Sequence, residues 1–217
     1  MSRSDWTGLT GPPDSALGGL TGKIRACRIC VERPIGAPLP HEPRPVIRAT
    51  ESARIAVCGQ APGTRVHASG QPFTDPSGDR LRDWMGVDVD TFYDFERVAV
   101  VPMGFCFPGQ DAKGGDLPPR RECARTWHDR VFASLPNLEL ILAVGLYAQA
   151  YHLPGLKKLS LTERVGRYRE IIGQTAPVVV PLPHPSWRNN AWIRKNPWFE
   201  TDLLPELRAR VARALEA

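Results

Sequence analysis

The chain has 217 residues, is 42% hydrophobic and carries a formal net charge of +5. That length supports one α/β domain with a sizeable core. No apolar run approaches the length needed to cross a bilayer, so the expectation is a cytoplasmic protein with no membrane partner. The basic surplus suits a polyanionic partner, because Lys and Arg that neutralise phosphates release condensed counterions.

In chain order, Met1 to Gly22 is polar and rich in Gly, Pro and Ser, without a secretory signature, and reads as a flexible leader over 1–22. A single domain is expected over 23–217. A short helix is expected over Leu20 to Val31, then an extended Pro-dense stretch from Glu32 to Pro45. Arg54 to Gly59 reads as a buried parallel strand, and Gly59 to Gly78 as a Gly/Pro-rich loop. Ser77 to Met85 has the pattern of a capped amphipathic helix with Leu81, Trp84 and Met85 inward.

Arg97 to Pro102 is a second strand, followed by an irregular segment from Gly104 to Pro119 and a helix over Glu122 to Ser134. Leu138 to Gly145 and Val178 to Pro183 complete four strands, with a helix from Leu146 to His152 between them. The tail from Trp198 to Leu215 places Phe199, Leu203, Leu204, Leu207 and Val211 at helical spacing. Strands alternating with helices predict a three-layer α/β/α sandwich around a mainly parallel four-stranded sheet. Ligands of such sheets sit beyond the carboxyl ends of the strands. Three of those ends carry unusual residues: Gly59 to Gly63, Pro102 to Cys106, and His184 to Asn190.

The first constellation is Gly59-Gln60-Ala61-Pro62-Gly63, followed by Gly70-Gln71-Pro72-Phe73-Thr74-Asp75. Glycines permit close backbone approach, Phe73 offers an aromatic face, and Gln60 and Asp75 offer polar groups. An ordinary strand-to-helix turn explains the five-residue motif alone equally well. The second constellation is His184-Pro185-Ser186-Trp187-Arg188-Asn189-Asn190. Prolines on both sides of His184 restrict its backbone, and a fixed neutral imidazole can donate to an oxygen gaining charge. A satisfied structural histidine is the plain alternative.

The order, spacing and strand context of these two motifs resemble the signatures of the uracil-DNA glycosylase superfamily, from about Cys27 to the C-terminus. Closest are the iron–sulfur-containing bacterial and archaeal families numbered four and five, with an uncharacterised bacterial branch beside them. The resemblance implies a monofunctional enzyme that flips a deaminated base out of DNA, hydrolyses its N-glycosidic bond and leaves an abasic site. Uracil is the implied base, with hypoxanthine, xanthine and substituted uracils open. It implies that Phe73 stacks on the base while Gly59, Gln60, Ala61, Pro62 and Gly63 line its pocket. His184 would stabilise negative charge on uracil O2, Asp75 would orient or activate the water, and Asn189 would contact the base. Ser186, Trp187, Arg188, Arg194 and Lys195 would meet DNA, through phosphates or by filling the gap left by the base. Single Trp residues in this stretch are equally well explained as packing for the C-terminal helix.

The chain departs from the superfamily's pattern in several places. An amide at Gln60 can place water but cannot act as a base near neutral pH. The region after the second strand, Val101-Pro102-Met103-Gly104, carries no amide to read the base edge. Gly63 stands where a bulky residue excludes thymine's methyl group, and Pro76 follows Asp75 where the related segment differs.

Cys27-x2-Cys30, Cys106 and Cys123 resemble the ligand set of a structural [4Fe–4S] cluster in those families. Zinc suits the same four thiolates, and buried apolar cysteines need no metal at all. Cys58, inside a strand, reads as core. The partner implied is DNA containing uracil or another deaminated base, met by a monomer. Two competing readings are a non-catalytic nucleic-acid-binding module and a small-molecule enzyme using Gly59 to Gly63 as a phosphate loop. The latter lacks the glycine spacing of dinucleotide or Walker loops.

Overall fold

A computed structural model of the chain describes residues 15–216. Four short strands form the centre: β1 (Ile55–Cys58), β2 (Val98–Val100), β3 (Leu140–Val144) and β4 (Val178–Leu182). They pair in the order β2-β1-β3-β4, all parallel, with Ile55 opposite both Val98 and Leu140 and Leu140 opposite Val178. Strands covered on both faces should be apolar throughout, and almost every strand residue is buried.

Alternation along each strand divides the core in two. Ile55, Val57, Val98, Val100, Leu140, Leu142, Val180 and Leu182 face one side. There they meet α4 (Pro76–Met85), α5 (Val89–Tyr93), α9 (Leu161–Gly166), α11 (Asn190–Lys195) and α12 (Leu204–Glu216). The predicted inward residues Leu81, Trp84, Met85, Phe199, Leu203, Leu204, Leu207 and Val211 all lie in this half of the core. The other side presents smaller residues, among them Ala56, Cys58, Ala99 and Ala143. This side packs against α1 (Ala16–Arg25), α7 (Asp129–Ala133) and α8 (Leu146–His152). α10 (Tyr168–Ile172) reaches both halves, through Tyr168 and Ile171. The result is the expected helix–sheet–helix layering.

Four differences from the sequence reading have identifiable causes. Part of the stretch read as leader is helical, because Ser15 caps α1 through a hydrogen bond from Gly18 N–H, and Leu17 and Leu20 are buried. Residues 1–14 lie outside the described part of the chain. The expected helix over Leu20 to Val31 is two helices, α1 and the single turn α2 (Ile29–Glu32). The polar loop after β1 contains α3 (Thr64–Ser69), closed by Gly70 in the left-handed region. The helix of Glu122 to Ser134 starts at Arg121 with α6 (Arg121–Cys123) and widens to a π-helical turn over Ala124–His128 before α7.

Candidate active site

Beyond the carboxyl ends of β1, β2 and β4 lies a cleft of about 420 Å³. Its lining includes Gly59, Gln60, Ala61, Pro62, Gly63, Phe73, Asp75, His184 and Arg188, so both motifs reach one cavity. The first motif is stitched to the end of β2: Met103 N–H donates to Gly59 O and Gly104 N–H to Gln60 O, each at 2.9 Å.

Phe73 owes its place to an unusual backbone. Its φ is +57°, which costs a non-glycine residue of the order of 1 kcal/mol or more. Its carbonyl is held by the Tyr93 hydroxyl and by Arg82 Nη1, both at 3.1 Å. Gly78 makes this possible, because a Cβ at that position would lie 1.8 Å from the Phe73 carbonyl oxygen. The ring then rests against Gly59 and edge-on to Phe92, at 5.8 Å between centroids.

His184 is held from three directions. Asn189 Nδ2 donates to its carbonyl at 2.7 Å, and Gly145, at φ +82°, leaves room beside its ring. Ser186 N–H donates to Nδ1 at 3.2 Å, so Nδ1 is an acceptor and the ring proton belongs on Nε2. Burial pushes the imidazole's pKa below 6.5, against the opposing pull of Asp75 and Asp116. The group is therefore a neutral N–H donor fixed at the cleft.

Asp75 lines the cleft and also N-caps α4, its Oδ1 accepting from Gly78 N–H at 3.3 Å. The cap predicted at Ser77 thus lies two residues earlier. Asn189 does not line the cleft; its amide nitrogen donates to the His184 carbonyl. Ser186 and Trp187 sit on the rim loop, with Trp187 72% exposed and the Arg188 guanidinium over its ring at 5.5 Å. Arg194 and Lys195, in the last turn of α11, are exposed and stand away from the cleft lining. Trp192 and Trp198 pack edge-on at 5.8 Å as helix supports.

Sequence reasoning missed three contributors. Arg80 of α4 braces the rim loop, donating to Asn190 Oδ1 at 2.7 Å and to Ser186 O at 3.4 Å. Gln110 and Asp116 line the cleft from the segment read as irregular. The available signal was the Asp-x-x-Gly pattern of Asp111 and Gly114, a turn marker inside that segment.

Cys30, Cys106 and Cys123 are buried free thiols and Cys27 is partly exposed. A hydrogen bond with Cys123 pushes the Cys30 thiol down to about 7, and burial pushes Cys106 up to about 12. Cys106 also feels the charges of Cys30 and Cys27, and Cys123 those of Cys30 and Cys106. Among the described residues, no three or more His, Cys, Asp or Glu side chains are grouped closely enough to hold a metal ion. Beside the thiols, Arg120 pairs with buried Glu122 at 2.7 Å, and both reach back to the Pro-dense stretch, at Ala37 O and Ile35 N–H. Cys58 is core, its thiol pushed upward by burial.

A family model described as the Uracil DNA glycosylase superfamily matches residues 47–208. The chain belongs to that superfamily. Both cleft motifs fall inside the matched span, and membership gives DNA as the partner class and glycosylase chemistry as the reaction class. Among the described residues, no helix is long and apolar enough to cross a membrane.

Proposed function

We propose that this superfamily member is a monofunctional DNA glycosylase that removes uracil, and other deaminated bases that fit the cleft, leaving an abasic site. The observation carrying this reading is the His184 imidazole, neutral and presenting Nε2–H at the cleft while Ser186 N–H occupies Nδ1. As the C1′–N bond breaks, its electron pair passes to the base, and charge gathers on the base oxygens. A preorganised donor there stabilises the transition state more than the ground state. Phe73 would stack on the extruded base, offsetting the few kcal/mol that unstacking costs. Asp75, fixed by its cap, would orient the attacking water. The backbone of Gly59 to Gly63 would shape the pocket.

Trp187 and Arg188 on the rim, with Arg194 and Lys195 farther out, would meet the DNA. The protein would act as a cytoplasmic monomer. Among the described residues no lysine lines the cleft, and a Schiff base with strand cutting is not expected.

By resemblance to the ligand set of related families, Cys27, Cys30, Cys106 and Cys123 would hold a [4Fe–4S] cluster, with zinc as the alternative for the same donors. A bound group would tie the N-terminal helices to the segment after β2. Iron and sulfide content, with the visible absorbance of anaerobically purified protein, separates cluster, zinc and free thiols.

Cleavage of labelled oligonucleotides carrying uracil, hypoxanthine or xanthine, single- and double-stranded, tests the reaction. Abasic product that disappears in His184→Ala and Phe73→Ala is the expected result. Tight DNA binding without product on any base would establish a binding module instead.

A further inference from the structure

The segment between the second strand and α6 forms a small hairpin over the cleft. Gln110 bridges Asp116, Leu117 N–H donates to Gly109 O at 2.9 Å, and Asp111 N–H donates to Gly115 O at 2.8 Å. The turn is closed by Asp111 Oδ1, which accepts from Lys113 N–H at 2.8 Å and Gly115 N–H at 2.9 Å. Gln60 Nε2 reaches Leu117 O at 3.4 Å, joining the hairpin to the first motif. This arrangement brings Asp116 beside the end of the motif: its Oδ2 lies 3.3 Å from where a Cβ on Gly63 would stand.

The cleft therefore contains two carboxylates in different states. Asp75 Oδ1 is engaged by Gly78 N–H at the start of a ten-residue helix. Asp116 Oδ1 accepts only from the Gln110 amide at 3.3 Å, and its Oδ2 accepts no hydrogen bond among the described residues. Both carboxylates act electrostatically on His184, which places the three groups around one space.

We propose that Asp116 is a catalytic residue, the general base that takes the proton of the attacking water. The inference rests on the glycosylase reading and divides the carboxylate work, with Asp75 orienting the water and Asp116 deprotonating it. In the step, the C1′–N bond breaks with its electron pair going to the base, and the water oxygen bonds to C1′. One water proton passes to Asp116 Oδ2 and then to solvent. The departing base, hydrogen-bonded by His184 Nε2–H, is protonated from solvent. A loop-borne, solvent-exposed carboxylate suits this role, since it can return its proton to water each turnover.

Single-turnover excision of uracil under saturating enzyme is compared for wild type, Asp116→Asn, Asp116→Glu and Asp75→Asn, the last retaining an N-capping side chain. DNA affinity by fluorescence anisotropy and thermal melting are measured alongside. Asp116→Asn is expected to lower the excision rate by about 10²–10³-fold, with affinity no weaker than wild type and an unchanged melting temperature. Asp116→Glu should recover part of the rate. An Asp116→Asn rate equal to wild type overturns the inference and leaves the glycosylase reading standing. So does a rate loss that comes with weakened DNA binding and a lower melting temperature, since that marks a purely structural hairpin. Wild-type protein that releases no base from any of the substrates overturns both.

Discussion

The cleft has two walls built on different principles. One, formed by Gly59 to Gly63 and His184 to Arg188, continues directly from β1 and β4. Its residues are fixed by the sheet, by the Gly59 and Gln60 carbonyls bonded to the end of β2, and by brace side chains such as Asn189 and Arg80. The other wall, Gly109 to Leu117, is an exposed hairpin held by its own turn and by single contacts such as Gln60 to Leu117. The first wall places groups to a fraction of an ångström and ties their geometry to the stability of the core. The second can present a charged group at the same cleft while being largely independent of core packing. Substitutions should thus separate: at the buried supports of the sheet-borne wall stability and chemistry fall together, and at exposed positions and on the hairpin they come apart.

The largest expected effect on stability is at Gly78, which supports the sheet-borne side from beneath. Gly78→Ala would drive a Cβ into the Phe73 carbonyl, a backbone atom that Tyr93 and Arg82 already hold. A loss of about 3 kcal/mol is expected, which for a chain of this size lowers the melting temperature by roughly 6–12 °C. Excision should fall with it, because Phe73 cannot keep its position. Melting curves matching wild type would show that the Phe73 turn can relax and that the wall is softer than described.

Next comes the rim. Trp187 is mostly exposed, so Trp187→Ala should leave the melting temperature within about 2 °C of wild type, as expected for a surface change below 0.5 kcal/mol. DNA affinity should weaken by about 1 kcal/mol if its ring stacks on a base. Fluorescence anisotropy at fixed salt measures this, and unchanged affinity would remove Trp187 from the interface.

How much of this was legible in the sequence follows the same division. Buried strands and their ends are written in apolar runs closed by Gly or Pro, so Val57 to Gly63 and Leu182 to Ser186 could be read as strand ends carrying the motifs. The position of Asp75 in the cleft followed, but its capping role did not, because a helix beginning with Pro76 moves the cap two residues ahead of Ser77. The bond from Asn189 to the His184 carbonyl was not legible, because nothing in the sequence shows that this carbonyl needs a donor. Gln110 and Asp116 were invisible as site residues. Their placement depends on a turn geometry set by Asp111 and by Gly109 and Gly114 at positive φ, and period-based patterns carry no information about such a turn. The four cysteines could be grouped only by resemblance to a ligand set, because chain spacing alone does not say which thiols meet in the fold.

The histidine supplies a pH-dependent comparison. Burial depresses the folded-state pKa of His184 below 6.5, so the neutral ring contributes stability that is fully present above that value. That contribution is lost as pH falls through the lowered folded-state pKa, where Nδ1 gains a proton and can no longer accept from Ser186 N–H. Nitrogen-15 NMR of the imidazole should show the Nε2–H tautomer at pH 7 and a titration midpoint below 6.5. An Nδ1–H tautomer would contradict the donor assignment, and a midpoint above 6.5 would contradict the effect of burial.

The smallest effect expected on stability is at Gly63, where the two walls meet. Its φ of −84° is open to any residue, so Gly63→Ala carries no backbone strain. The added methyl would lie 3.3 Å from Asp116 Oδ2, tight enough that the carboxylate must yield by a few tenths of an ångström. Because Asp116 belongs to the exposed hairpin, it can yield without disturbing the core. The stability cost should therefore stay within about 0.5 kcal/mol. Excision should respond more strongly, since a small misplacement of a reacting group can cost up to about 10²-fold in rate. A slowed reaction at constant melting temperature would place the corner between Gly63 and Asp116 in the function of the cleft, and the same loss in Asp116→Asn would assign it to the carboxylate. A melting temperature that falls as far as in Gly78→Ala would instead show that the two walls form one rigid unit, and the contrast between them would disappear.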